Sequence, residues 1–148
     1  MKQKSRFYHC KHTGFSLLEL LVVISIIGIL IAIVVVGFTA AQKRGRDARR
    51  RGDIKAWQNA LEQEYAENTS YGATCVVAVD AHMNGLIPVD PKGGAYVYTT
   101  HCDADSYCIC AELEQLGSGN ADGPSSSSDS CDFDNGSDND YYCLNNLQ

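Results

Sequence analysis

The feature that most constrains this chain is a carboxylate at the edge of a long apolar run. The nineteen residues Leu20–Phe38 contain no charge and no proline, and Glu19 lies directly before them. As an α-helix that rises about 1.5 Å per residue, this run would be about 28 Å long, close to the thickness of the hydrocarbon core of a bilayer. The length favours a membrane anchor over a secretory signal peptide, whose apolar region has about 7–15 residues.

Glu19 needs a partner in such a helix, because a carboxylate in lipid costs several kcal/mol. One interpretation is that its side chain reaches the headgroup region from the end of the helix. The other is that a cut before Phe15 creates an α-amine four residues from Glu19. The amine of one subunit would then neutralise the carboxylate of another, so the ion pair would form only on assembly.

The chain contains the string Thr13-Gly14-Phe15-Ser16-Leu17-Leu18-Glu19, with a basic leader before it and the apolar run after it. Together these features resemble the class III signal of type IV prepilins and type II secretion pseudopilins. The resemblance implies that a prepilin peptidase cuts between Gly14 and Phe15 and that Phe15 becomes N-methylated. It also implies that Glu19 pairs with the N-terminus of a neighbouring subunit during assembly.

The same resemblance implies partners and a location. The partners would be further copies of the chain in a helical filament, the prepilin peptidase and an inner-membrane assembly platform. The precursor would span the inner membrane once, with its leader in the cytoplasm, and the assembled form would be an extracellular pilus or a periplasmic pseudopilus. We therefore expect a structural subunit of a type IV pilus-like surface filament, with a type II secretion pseudopilin as the alternative.

The expected fold is an α+β, pilin-like one, in which a long N-terminal helix packs on a small antiparallel sheet with a disulfide-stapled C-terminal region. Apolar residues recur at helical spacing beyond the anchor, at Ile54, Trp57, Leu61 and Tyr65, so the helix is predicted to continue to about Glu67. We predict a cleaved basic leader at 1–14, a transmembrane or filament-core helix at 15–41, an amphipathic continuation at 42–70, and an acidic globular β-domain at 71–148 with a Ser/Gly/Asp-rich loop at 117–130.

Three segments are predicted to form an antiparallel meander because they are rich in β-branched or aromatic residues or alternate in polarity. They are Thr74–Val79, Tyr96–Thr100 and Ser106–Glu112.

Charge divides the chain unevenly. From Lys43 to Lys55 seven basic residues accompany two acidic ones, whereas from Ala56 onward Lys92 is the one cation among fifteen carboxylates. An acidic domain repels phosphate backbones, so no specific nucleic-acid partner is predicted. We interpret the basic stretch as a solvated or headgroup-facing part of the helix.

Six cysteines remain once the leader, which contains Cys10, is removed. An even number in a small exported domain predicts disulfides, and the sequence leaves their pairing open. Cys108 and Cys110 lie two residues apart on one predicted strand, so their side chains point the same way. This favours disulfides to two different partners over a bond between them. A zinc site formed by His101, Cys102, Cys108 and Cys110 is the alternative, but it lacks the usual ligand spacing. The candidate disulfide residues are Cys75, Cys102, Cys108, Cys110, Cys131 and Cys143.

Acidic residues near the C-terminus suggest a calcium site, because calcium prefers oxygen ligands. The run departs from an EF-hand loop, since Gly136 occupies the fifth position. A solvated acidic loop is the alternative. The candidate ligands are Asp132, Asp134, Asp138 and Asp140.

Catalysis is not predicted. His82 and His101 are the histidines that remain after removal of the leader, and no nucleophile elbow, zinc-protease helix or phosphate loop is present. The main rival to a filament subunit is a membrane-anchored, disulfide-rich binding module that does not polymerise.

Overall fold

The computed structural model describes residues 14–72, 74–124, 131–133 and 139–147. The chain divides into two units, an N-terminal unit up to Thr39 and a C-terminal unit from Ala40 onward. The helices and strands, in chain order, are α1 (Leu17–Asn68), α2 (Cys75–Met83), β1 (Thr99–Cys102), β2 (Tyr107–Glu112), β3 (Gly123–Pro124), β4 (Cys131–Asp132) and β5 (Tyr141–Asn145).

The predicted long helix is confirmed as α1. Its first part is long and apolar enough to cross a membrane, judged by length and composition. The helix ends at Asn68 because Thr69 adopts a positive φ of 54°, a conformation that a β-branched residue enters only at a cost. The Thr69 amide still donates to the Tyr65 carbonyl at 2.7 Å, which satisfies one of the last carbonyls of the helix.

The core of the C-terminal unit forms where the second part of α1 meets α2 and one face of β2. The predicted apolar stripe of α1 is buried there through Ile54, Trp57 and Leu61, while Tyr65 is half-buried. A buried aliphatic or aromatic side chain contributes about 1.5–3 kcal/mol relative to an exposed one, so this stripe is a large part of the stabilisation. The residues that β2 and α2 add to this core are Tyr107, Ile109, Ala111, Cys75, Ala78 and Val79.

The main sheet is antiparallel with the strand order β1-β2-β5. In the β1–β2 pair His101 lies opposite Cys108, and in the β2–β5 pair Cys110 lies opposite Cys143. The central strand β2 is buried on both faces, because its even-numbered cysteines face a second cluster that also contains Ala121. Strands β3 and β4 form a separate two-stranded sheet.

The fold class is confirmed, as is the strand predicted at Ser106–Glu112, whereas the strand predicted at Thr74–Val79 is wrong. That segment begins α2, in which Cys75, Ala78 and Val79 are buried at helical spacing. Its β-branched composition favours a strand only weakly, and the burial of one helical face against α1 and the sheet prevails.

The strand predicted at Tyr96–Thr100 is displaced toward the C-terminus, since β1 begins at Thr99. The amide of Tyr96 closes a turn by donating to the Gly93 carbonyl at 3.3 Å, and the Tyr98 hydroxyl donates to Asp53 on α1 at 2.7 Å. These contacts engage the aromatic residues before the strand starts. The third strand of the sheet is β5, which the sequence interpretation did not assign.

Candidate functional site

The start of α1 is held by a reciprocal hydrogen-bond arrangement between Ser16 and Glu19. The Ser16 hydroxyl accepts from the Leu18 amide at 3.3 Å, and the Glu19 carboxylate accepts from the Ser16 amide at 3.0 Å. This is a capping box, which satisfies two amides that a helix start otherwise leaves without a partner. The carboxylate also lies at the positive end of the helix dipole.

The sequence interpretation missed this role of Glu19. The signal was present, since serine followed three residues later by glutamate before an apolar run is the usual signature of a capping box. Gly14 and Phe15 precede the helix, and Phe15 is 87% exposed. A Cβ placed on Gly14 would meet no atom within 4 Å.

The apolar surface of the N-terminal unit is exposed all round the helix. Its described large apolar side chains, from Leu17 to Phe38, are between 47% and 80% exposed. A contiguous apolar surface of this extent is far larger than those of monomeric soluble proteins, and it marks contact with lipid or with other protein.

In the C-terminal unit, an ion-pair network surrounds Arg50, whose side chain is fully buried. Its guanidinium donates to Asp47 at 2.7 Å, to the two oxygens of Asp90 at 2.6 and 3.0 Å, and to Glu114 at 3.2 Å. Burial alone would lower the pKa of Arg50, but the hydrogen bonds to Asp90 and Asp47 outweigh it and raise the pKa. Three carboxylates from separate segments therefore compensate one buried cation.

Glu114 connects this network to two further cations. It accepts from Arg46 at 2.8 Å and lies 3.2 Å from the ammonium of Lys92. The hydrogen bond from Arg46 lowers the pKa of Glu114, burial opposes the change, and Lys92 adds to it, so that the pKa falls to about 2. Asp47 also accepts from the amides of Glu114 and Gln115. The network therefore fixes the loop after β2 to α1.

These contacts correct one part of the sequence interpretation. The sequence predicts that the basic stretch from Lys43 to Lys55 is solvated or headgroup-facing, and this is wrong for Arg50, which is buried. Lys43, Arg44 and Arg49 are exposed, as the interpretation expected. The difference arises because Asp90 and Glu114, distant in sequence, fold against the same side of the helix.

The six candidate cysteines form three disulfides, Cys75–Cys102, Cys108–Cys131 and Cys110–Cys143. Cys108 and Cys110 thus bond to different partners. The alternative zinc site is wrong, because Cys102 packs with the main core while Cys108 and Cys110 belong to the second cluster. His101 is exposed on β1.

The candidate calcium ligands are only partly described. Asp134, Asp138 and the side chain of Asp132 lie outside the described residues, so the calcium hypothesis stays a prediction. The Asp140 carboxylate accepts from the Gly117 amide at 2.8 Å, and its carbonyl accepts from the Leu113 amide. These bonds hold the start of the 117–130 loop close to β5.

The two histidines among the described residues, His82 and His101, lie in unrelated surroundings. The His82 ring nitrogen is 2.9 Å from the Glu64 carboxylate, which ties α2 to the end of α1. Glu62 on the same helix accepts from the hydroxyls of Tyr71 and Tyr107. Burial, together with the charge of Glu62, raises the pKa of Tyr71 to about 12. The contacts of His82, Glu62, Tyr71 and Tyr107 therefore join elements of the core to one another, which is a structural role.

Comparison with known proteins places the N-terminal features in a family. Residues 10–35 match the model of the prokaryotic N-terminal methylation motif. The type II secretion system core protein G of Pseudomonas aeruginosa is 31% identical over 130 residues, covering 74% of this chain and 91% of that protein. The protein of the same name in Escherichia coli is 30% identical over 113 residues, or 66% of this chain and 78% of that protein.

A third relative comes from the pilins. The type IV major pilin protein PilA of Myxococcus xanthus is 36% identical over 67 residues, covering 45% of this chain and 30% of that protein. No solved structure matches the chain. The long α1 and the small antiparallel sheet are consistent with a pilin-like α+β fold. With the methylation motif and these relatives, they show that the chain belongs to the family of type IV pilins and type II secretion pseudopilins.

Proposed function

We propose that this protein is a structural subunit of a type IV pilus-like filament and that it polymerises through the first part of α1. The observation that carries the proposal is the exposed apolar surface of the N-terminal unit, with one carboxylate in the first turn of its helix. Glu19 caps the start of this helix, which an anchor could also use. A helix that packs into a filament gains a second use for the carboxylate, because it can pair with an amine of another subunit.

Processing would create that amine. We propose cleavage between Gly14 and Phe15 by a prepilin peptidase, followed by N-methylation of Phe15. This cut removes the predicted basic leader at 1–14, and with it Cys10, while it leaves the capping box of Ser16 and Glu19 in place. The exposed Phe15 and the absence of any neighbour within 4 Å of a Gly14 Cβ fit a segment that a peptidase can reach.

Glu19 would then change partners on assembly. Before assembly its carboxylate accepts one hydrogen bond from the Ser16 amide, at 3.0 Å. In the filament it would also meet the cationic N-terminus of a neighbouring subunit. Because a charge-assisted pair in an apolar setting is worth far more than one in water, register within the filament would follow from this contact.

The precursor would span the inner membrane once, and the C-terminal unit would lie outside it. An inner-membrane assembly platform and further copies of the chain would be its partners. In this role the protein is a structural component and not an enzyme. We propose the same domain boundaries as the sequence predicts. They are a transmembrane or filament-core helix at 15–41, its amphipathic continuation at 42–70 and a globular domain at 71–148.

The second candidate within this class is a pseudopilin of a type II secretion system. Coverage favours it, since the core protein G of Pseudomonas aeruginosa aligns over 91% of its length and the Myxococcus pilin over 30%. The two candidates separate when the gene is deleted. Loss of exported enzymes from the culture medium supports the pseudopilin, and loss of surface filaments with secretion intact supports the pilin.

The main test is the substitution Gly14→Val, with filaments observed by electron microscopy and the N-terminus identified by mass spectrometry. We expect the wild-type protein to begin at an N-methylated Phe15 and the variant to retain its leader and form no filaments. Gly52→Val is the matched control, since its Cβ also meets no atom within 4 Å and the residue lies in the C-terminal unit. Normal processing and filaments from Gly14→Val would refute the proposal.

Glu19→Gln tests the charge of the assembly contact. We expect normal cleavage but poor incorporation into filaments beside wild-type subunits. Glu67→Gln is the control, because Glu67 is an exposed carboxylate on the same helix in the C-terminal unit. A membrane-anchored binding module that does not polymerise would behave in the same way with Glu19→Gln and with Glu67→Gln. Incorporation of Glu19→Gln at the wild-type level would contradict the pairing.

A further inference from the structure

We propose that Cys108, Cys110, Cys131 and Cys143, in their reduced form, bind one zinc ion as a closed tetrathiolate site. We call these residues the four-sulfur cluster. Their Sγ atoms all lie within 4.8 Å of one another, and all four side chains are buried. The cluster lies in the C-terminal unit, and its proposal does not depend on the proposed function.

The spacing of the sulfurs suits zinc. A tetrahedral ion with Zn–S bonds of about 2.3 Å holds its four sulfurs about 3.8 Å apart. Cys108 and Cys110 already have their Sγ atoms 3.6 Å apart, because both side chains leave the same face of β2. Reduction would free the two bonded pairs to separate, while the other sulfur pairs need to approach by at most about 1 Å.

The segments that supply the cysteines make the site a structural one. Cys108 and Cys110 come from β2, Cys131 from β4 and Cys143 from β5. β2 and β5 are already paired, with Cys110 opposite Cys143, so two of the three segments are in place without any sulfur bond. A metal there would fasten β4 to this pair, as the Cys108–Cys131 disulfide does. Four buried thiolates leave no open position for water, which is typical of structural zinc sites.

The third disulfide gives an internal comparison. Cys75 and Cys102 join α2 to the end of β1 and pack with the main core, away from the four-sulfur cluster. As two isolated thiols they do not make a set of four ligands. Their removal therefore should leave zinc binding intact.

Zinc and disulfides would be alternative states of the same sulfurs. Oxidation of the zinc-bound cluster, which carries a charge of about −2 as one Zn²⁺ with four thiolates, needs an oxidant of the protein-disulfide class. Two such disulfides accept the four electrons and are reduced to four thiols with the uptake of four protons. The cluster becomes Cys108–Cys131 and Cys110–Cys143, and Zn²⁺ is released. In this scheme a chain that has not yet reached an oxidising compartment would hold zinc.

The test uses the full chain in detergent micelles, reduced with a phosphine under nitrogen, with Cys10→Ser in every sample to remove the seventh thiol. Cobalt is the first probe, because tetrahedral thiolate coordination gives intense charge-transfer and visible ligand-field absorption. We expect one Co²⁺ per chain, displaced by one Zn²⁺, and no binding after oxidation of the cysteines. Circular dichroism should be the same for the zinc-loaded and the oxidised protein.

Variants separate this site from adventitious thiol binding. The double substitution Cys75→Ser with Cys102→Ser should leave affinity and stoichiometry unchanged, whereas Cys110→Ser should weaken zinc binding by more than about 100-fold. Cys131→Ser, at the rim of the cluster, serves the same purpose if Cys110→Ser does not fold. The proposal is overturned if the reduced protein binds no metal at one per chain, or if the Cys75 and Cys102 variant weakens binding as much as Cys110→Ser.

Discussion

The two units of this chain differ in whether they bury the apolar side chains of α1, the helix that contributes to both. Ile27, in the N-terminal unit, is 48% exposed, whereas Ile54, farther along the same helix, is fully buried. The charged groups differ in the same sense. Glu19 has one amide donor from its own chain, while Glu114 is bound by Arg46, Arg50 and Lys92.

The difference is whether apolar surface and charge find their partners within the chain or must find them in lipid or other proteins. The C-terminal unit buries its apolar stripe, compensates its buried cation and joins its six cysteines in three disulfides, all with partners from its own residues. The N-terminal unit leaves its apolar helix uncovered, so its free energy depends on lipid or on other subunits. Substitutions in the two units should therefore be detected by different experiments.

The largest effect is expected from Arg50→Met. This change leaves Asp47 and Asp90 buried without their cation, which should lower the free energy of unfolding by about 3–5 kcal/mol. Denaturant unfolding in detergent micelles, followed by the fluorescence of Trp57, the single tryptophan, measures it. Arg49→Met is the control, since Arg49 is exposed and 3.8 Å from Asp53, and it should cost roughly 0–1 kcal/mol. Equal losses would show that the network is not the stabilising feature.

The comparison of the two isoleucines gives the next effect. Ile54→Ala should destabilise the C-terminal unit by about 2–5 kcal/mol, because it removes a fully buried side chain from the core. Ile27→Ala removes the same atoms from an exposed position and should leave the unfolding of that unit unchanged. The same fluorescence experiment compares the two variants. A comparable loss from Ile27→Ala would mean that the two units do not unfold independently.

Acid should weaken the C-terminal unit through Glu114. Its pKa is lowered from an ordinary value of 4.5 to about 2 in the folded state. The stabilisation is therefore present above about pH 4.5 and is lost as the pH falls toward 2, with a contribution of about 1–3 kcal/mol. Unfolding free energies measured across this range should fall less steeply for Glu114→Gln. Parallel pH profiles for variant and wild type would contradict the assignment.

The smallest effect is expected at the helix start. Ser16→Ala removes the acceptor of the Leu18 amide and should cost about 1 kcal/mol in the stability of the first turn. Amide hydrogen exchange in micelles should therefore be about fivefold faster at Leu18. Ser25→Ala is the control, because the Ser25 hydroxyl donates to the Leu21 carbonyl inside the helix and caps nothing. Unchanged exchange at Leu18 would refute the capping role.

Prediction from sequence succeeded where the signal was local and failed where contacts between distant residues decided. The period of Ile54, Trp57 and Leu61 was enough to extend α1 beyond the anchor. The strand predicted at Thr74–Val79 is wrong because strand propensity is weak and the packing of α2 overrides it. The capping box could have been recognised from the spacing of Ser16 and Glu19 alone.

The sequence by itself determined the apolar helix, the residues around Gly14 and Glu19 that mark the family, and an even set of cysteines after Gly14, because each is a local pattern in the chain. The tertiary structure alone decided that Arg50 is buried among three carboxylates and that Cys108 and Cys110 bond to Cys131 and Cys143. Apart from Asp47, the partners in these contacts are 23 to 64 residues away in the sequence. Nothing in the local pattern specifies which distant segment a side chain will meet, because that depends on how the whole unit packs.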